Sequence, residues 1–272
     1  MTLKLMKYEL KSMLRIFIPI WSVILALSLI NRFTLRIEGL SELLGGVPAL
    51  LLMVAYVLSI IAVFMIGLIF VILRFYNGLL RDEGYLMFTL PVKASQLLNS
   101  KLFSAVILML GTSLVCLLSL CVLVIDRNVV EGIAEAIRML TLNNADMPFT
   151  LETFRTIIWM GVAASVISLF AAPLECYLAM AIGQLANKSK AAWSVLSYFG
   201  LSLAMSLVGN ILYTVPMVGK LRELEIMAEN VEEIINSLML QTMTSGLVLA
   251  VLMLIAFYIP TWLILKNKLN LE

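Results

Sequence analysis

One acid stands apart in this sequence. Glu175, in the stretch FAAPLECYLAMAIG, lies twelve residues before Asn187 inside an otherwise charge-free run. At 1.5 Å of rise per residue it sits about 18 Å along a helix from that boundary. A charged side chain so deep in a bilayer costs about 2.5–3.5 kcal/mol on insertion scales, so an intramembrane acid is by default a candidate for function. Ionised, it suits a proton, a cation or an amphipathic substrate. Steps of three and four place Gly161, Ser165, Ser168, Ala172, Ala179 and Gly183 on its helix face. Small residues allow close helix approach, so this stripe is expected to face protein or a cavity. Pro173 removes a backbone hydrogen bond within a turn of the acid and predicts a kink. Glu175, Pro173, Ser165 and Ser168 are therefore read either as part of a substrate path or as an intramembrane polar contact. In the second reading a protonated Glu175 bonds to a neighbouring span.

The second chemically rich stretch is RFYNGLLRDEGYLMFTLPVKASQLLNSK, residues 74–101. It separates two of the most apolar runs and is long for a helix–helix connection. It lacks the composition of a flexible linker. Arg81 to Phe88 predicts a short helix, with Tyr85 and Phe88 three apart on one side. Pro91 ends it, because the residue before a proline avoids the helical region. Ser95 is the expected N-cap of a helix running through Leu97, Leu98 and Lys101 into the next span. Aromatics rimmed by charges point to a docking surface. Equally, Tyr85 and Phe88 could anchor the loop among lipid headgroups.

Much chemistry is excluded. The chain has no histidine, which removes Ser-His-Asp and Cys-His catalysis and most imidazole metal sites. No P-loop is present; the one Gly-Lys pair, Gly219-Lys220, has Thr214 where the first glycine would stand. An intramembrane enzyme would need a Ser-Lys pair or two acids at depth, and every lysine lies near the end of a span. Cys116, Cys121 and Cys176 fall in apolar runs without a CxxC spacing, so no disulfide or metal site is expected. The net charge of +2 gives no footing for a nucleic acid.

The elements that must position these groups are membrane helices. Of 272 residues, 62% are apolar and 13% charged, and the mean hydropathy is +1.05, whereas a soluble domain is nearer half apolar and a quarter charged. Six charge-poor runs are long enough to cross the hydrocarbon core. The expected spans are about 15–31, 47–73, 102–125, 156–186, 193–217 and 243–265, within one transmembrane domain covering 1–272. Residues 1–14 form an amphipathic segment expected to lie along the membrane surface, and the first span is expected to be an uncleaved helix despite its basic flank. With both termini inside, the inner segments hold twelve basic and four acidic residues; the outer ones hold seven and twelve. That asymmetry places residues 74–101 in the cytoplasm. Outside, Val130, Ile133, Ile137 and Leu140 recur at helical spacing, as do Leu224, Met227, Val231, Ile234 and Leu238. Each series predicts an amphipathic outer helix, after spans three and five respectively.

EGYLMFTLPVKASQLLNSKL after the second span, together with YLAMAIGQLANKSKAAWSVLSYFG across the fourth and fifth, resembles the ABC-2 type transporter permeases, chiefly small bacterial ones. The similarity covers essentially the whole chain, through loose apolar motifs, and no large outer domain is present. The resemblance implies an all-α, six-span protein whose inner loop is a coupling helix docked on an ATP-binding cassette subunit. By position, the docking residues are Arg81, Asp82, Glu83, Gly84, Tyr85, Leu86, Phe88, Leu90 and Pro91. It further implies a second permease chain, identical or not, ATP and magnesium held by the partner subunit with no cofactor in this chain, export as the direction, and residence in the bacterial plasma membrane.

Two other functions fit the residues. An ion-coupled secondary carrier would use Glu175 as its proton site, although no internal repeat of the kind such carriers show is visible. A membrane scaffold would use the loop to recruit a cytosolic partner without moving anything.

Overall fold

The computed structural model describes residues 2–36, 47–80, 93–125, 129–132, 134, 135, 138, 151–186, 189–226 and 231–267. Among these the protein is helical throughout, apart from short turns, and contains no strand. Six helices are long and apolar enough to cross a membrane, matching the six expected spans. In lipid this is the economical solution, because a helix satisfies its own backbone groups. The chain divides into two compact units, Met1–Glu131 and Gly132–Glu272.

The first unit opens with α1, Thr2–Arg36. The amphipathic segment and the first span are one unbroken helix, and no glycine or proline occurs from residue 2 to residue 18 to interrupt it. Its 35 residues make it about 52 Å long, more than the roughly 40–45 Å of a whole bilayer. Then come α2, Val47–Phe75, one π-helical turn, Tyr76–Leu80, and α3, Ala94–Val124. The N-cap of α3 is Lys93, not Ser95. The Gln96 side chain reaches back to accept the Lys93 backbone N–H at 3.2 Å, which secures the helix start two residues before the serine.

One face of α1 carries the unit. Glu9, Met13, Phe17, Ile24, Ser28 and Asn31 are all buried, at spacings that keep them in a single stripe. Apolar side chains gain little by leaving lipid for protein, so close fit and polar contacts must hold the helices together. Phe17 lies on Gly67, where an added Cβ would be 3.7 Å from the ring, and meets Phe70 edge-on with centroids 5.6 Å apart. The Trp21 indole fills the space over Gly111, where a Cβ would come within 2.8 Å of it. Its Nε1 donates to Thr112 Oγ1 at 3.3 Å. Asn31 donates to the Leu52 carbonyl at 3.2 Å, and the hydroxyls of Tyr56 and Ser119 share a buried bond of 2.8 Å. Residues 17 and 31 thus pair with 67 and 52, so α2 runs antiparallel to α1. Residue 21 pairs with 112 and Arg32 with the end of α3, so α3 runs parallel to α1.

The second unit contains α4, Leu151–Gln184, α5, Lys190–Ile226, and α6, Val231–Asn267. Only five residues separate α4 from α5, and Ser189, the last of them, has φ 54. There Gly183 is pressed so closely on the start of α5 that a Cβ would fall 1.9 Å from Ser194 Oγ and 2.8 Å from the Lys190 carbonyl oxygen. The described residues of the acidic segment expected to lie outside do not form a separate helix. Its first part extends α5 to Ile226 and its second opens α6 at Val231, because the helical periodicity simply continues that of the flanking spans. After α3, residues 129–132 are helical, and α4 begins at Leu151, five residues ahead of the apolar run.

Because main-chain atoms stand against Gly183, Gly183→Ala should lower the unfolding temperature, at the cost of about 1–3 kcal/mol expected of overpacking. Gly200→Ala, facing nothing within 4 Å inside α5, should keep or raise it, since alanine is the better helix former. Thermal unfolding of the two purified variants in detergent makes the comparison.

Candidate functional site

At one end of the first unit three charges converge from distant parts of the chain. Glu9, on the third turn of α1, accepts from Arg74 Nε at 2.6 Å through Oε2 and from Lys101 Nζ at 3.0 Å through Oε1. Lys101 donates also to the Arg74 carbonyl at 3.2 Å. Its side chain is only 4% exposed. Arg74 closes α2 just where the backbone passes into the π turn, whose wider i→i+5 bonding alters the register of the chain. That turn sets Gly78 against the ammonium; a Cβ there would lie 2.5 Å from Lys101 Nζ. A side chain at position 78 would require the Lys101 ammonium to shift.

The cluster stands at both roots of the loop the sequence singles out. Gly78, Leu79 and Leu80 are buried on the entering side. Leu97, Leu98, Ser100 and Lys101 are buried on the leaving side. Beside the cluster lies a cavity of about 480 Å³, walled by Phe70 and Leu73 as well as by Arg74, Asn77 and Lys101. Two cations share one carboxylate, so the cluster is net positive. Lys101 and Glu9 could have been paired by no local signal, being 92 positions apart. The hint available was Glu9 itself, the one acid among Lys4, Lys7, Lys11 and Arg15, on the same helix stripe as Met13 and Phe17.

The other end of the unit has its own cation. Arg32 donates through Nη1 to the Val122 carbonyl and through Nη2 to that of Ile125 at 3.1 Å. These are oxygens of the last turn of α3, where a cation is favoured by both hydrogen bonding and the helix dipole. Glu9 and Arg32 are 23 residues apart on one helix, or about 35 Å. The charge-free run between them, residues 16–31, is about 24 Å long, and with Arg15 and Arg32 at its ends it comes close to a hydrocarbon core of about 30 Å.

The docking residues expected from Arg81 to Pro91 lie outside the described residues. Glu175 and Pro173 are on α4, packed against α5 and α6. Glu175 Oε1 is buried without a hydrogen-bond partner among the described residues. Cys176, buried, and Tyr198 of α5 are within electrostatic reach of it. The small-residue stripe is divided. Ala179 and Gly183 are buried, while Ser165, Ser168 and Ala172 are exposed. Each serine hydroxyl bonds to its own helix, Ser165 to the Gly161 carbonyl and Ser168 to that of Ala164, both at 2.8 Å. Glu175 and Pro173 thus share a packed region, and the two serines lie on an exposed part of the same helix. Among the described residues no group of acids, cysteines and histidines could hold a metal ion.

No protein-family model matches this chain, and no curated protein or solved structure is significantly similar to it.

Removing one member of a buried ion pair costs about 3–5 kcal/mol, because the partner charge stays behind. Glu9→Met, which strands both Arg74 and Lys101, should therefore lower the unfolding temperature sharply, and the exchanged pair Glu9→Lys with Lys101→Glu should recover part of the loss. Glu175 calls for the opposite sign. A buried oxygen without a partner costs about 1–3 kcal/mol, so Glu175→Met should keep or raise the unfolding temperature; a clear fall would mean that the carboxylate is bonded.

Proposed function

We propose that this chain is the membrane-spanning subunit of an ATP-driven transporter of the ABC-2 permease kind, an exporter in a bacterial plasma membrane with both termini in the cytoplasm. One observation carries the reading beyond the sequence resemblance. The two roots of the 81–92 loop are tied to each other and to the first helix by a buried ionic cluster. A loop meant to transmit force needs stiff attachments, and this one has them. In this reading the segment Arg81–Pro91 forms the coupling helix, with Tyr85 and Phe88 seated in a groove of a cytosolic ATPase subunit. The partner binds ATP and magnesium and performs the hydrolysis; this chain contributes no catalytic residue. Closure of two ATPases presses on two such loops, one from each permease chain, and the helices rock between inward-open and outward-open packings.

The unpartnered Oε1 of Glu175 favours one alternative, an ion-coupled carrier that loads a proton there. The two readings separate on energy source. A carrier moves substrate without an ATPase and stops with Glu175→Gln.

The deciding experiment is affinity purification of the tagged chain in mild detergent from its native host. A P-loop ATPase should accompany it. Aromatic anchors at the centre of an interface are worth about 2 kcal/mol or more, roughly thirtyfold in affinity. Tyr85→Ala with Phe88→Ala should therefore lose the ATPase while the membrane chain stays folded. Retention of the ATPase by that variant overturns the docking assignment.

A further inference from the structure

We infer that the cavity beside Glu9, Arg74 and Lys101 is a binding site for the phosphate of an anionic ligand, and that its occupant is an anionic lipid headgroup. The inference holds whether or not an ATPase docks nearby. Glu9 spends both carboxylate oxygens, one on Arg74 and one on Lys101. After that pairing one positive charge remains unbalanced among the described residues of the cluster. Arg74 uses Nε alone on Glu9; its Nη groups have no partner among the described residues, and about a third of its side chain, 34%, is still exposed. Those groups form a planar fork suited to phosphate oxygens. Lys101 donates twice, to Glu9 and to the Arg74 carbonyl, leaving one N–H. The exposed Asn77 amide adds a neutral donor at the rim.

The remaining walls identify the source of the phosphate. Phe70 and Leu73 line the same cavity, and Leu73 is half exposed. A soluble phosphate gains nothing from that surface, whereas the glycerol and first methylenes of a lipid do. The cluster also lies where a headgroup would be, about two turns beyond the charge-free run of residues 16–31. Basic pockets at that depth between membrane helices are suited to anionic headgroups.

The test is thermal unfolding of the full chain in detergent with phosphatidylglycerol, phosphatidylcholine or inorganic phosphate added, together with native mass spectrometry to count bound lipid. Phosphatidylglycerol should raise the unfolding temperature and stay bound where phosphatidylcholine does neither. Asn77→Glu adds a carboxylate at the rim, opposing the positive charge that would hold a phosphate. One charge near a membrane surface is worth about 1 kcal/mol, so this variant should weaken phosphatidylglycerol about fivefold, with a lipid-free unfolding temperature equal to or above that of the parent. Arg74→Gln should abolish the effect if it folds. Stabilisation by inorganic phosphate alone would keep the phosphate site and reject the lipid. Equal responses to the two lipids, or an undiminished phosphatidylglycerol response in Asn77→Glu, overturn the inference.

Discussion

An ammonium ion buried at the end of a helix bundle has few ways to persist. Water is excluded from it, so its charge must be met by a carboxylate held at hydrogen-bond distance and its remaining protons by fixed acceptors. Lys101 meets that demand with Glu9 and the Arg74 carbonyl. Everything near it follows from the same need. Gly78 packs directly against the ammonium, Arg74 stands in the last turn of α2 at that level, and α1 must reach about two turns beyond the charge-free run to deliver Glu9. A purely surface-lying first segment could not do this, which is why one continuous helix replaces two.

Along the rest of the first unit, polar contacts take over the role that water-driven burial has in soluble proteins. Trp21 with Thr112, Asn31 with the Leu52 carbonyl, and Tyr56 with Ser119 each lock a particular register between helices. Each is worth on the order of 0.6 kcal/mol in a membrane, so the set specifies alignment more than it supplies stability. The second unit relies on close fit instead, with Gly183 against the start of α5 and Gly209 against Leu249. Its α5 exposes large apolar side chains such as Phe199, Leu203, Leu207 and Ile211 along much of its length, a surface that only lipid or another membrane helix can cover.

The existence of six long apolar helices was legible in the sequence, because runs without charge are scarce in any chain that does not cross a membrane. Helix limits were not. Apolar runs mark where lipid is, whereas helices continue until something stops them; hence α3 starts at Ala94 and α5 continues to Ile226. Glu175 stood out because a lone acid in an apolar run has no local explanation. Ser165 and Ser168 shared its stripe on the helical wheel, but a wheel has no axial coordinate, so it could not show that packing covers only one half of α4. The ionic cluster was invisible for a different reason. Periodicity reveals which residues share a face, not which distant residue meets them, and Glu9, Arg74 and Lys101 each passed for ordinary boundary charges.

Pro19 sits in the middle of α1, where a missing backbone hydrogen bond would normally make a joint. The side chains flanking it deny that freedom: Phe17 is lodged over Gly67 and Trp21 over Gly111. The helix is splinted at its one weak point and fastened at both extremities, to α2 and α3 near Glu9 and to α3 again at Arg32. A bend at Pro19 would lift Phe17 from Gly67 on one helix and Trp21 from Gly111 on another, so α1 can hinge there only by giving up contacts to both neighbours at once.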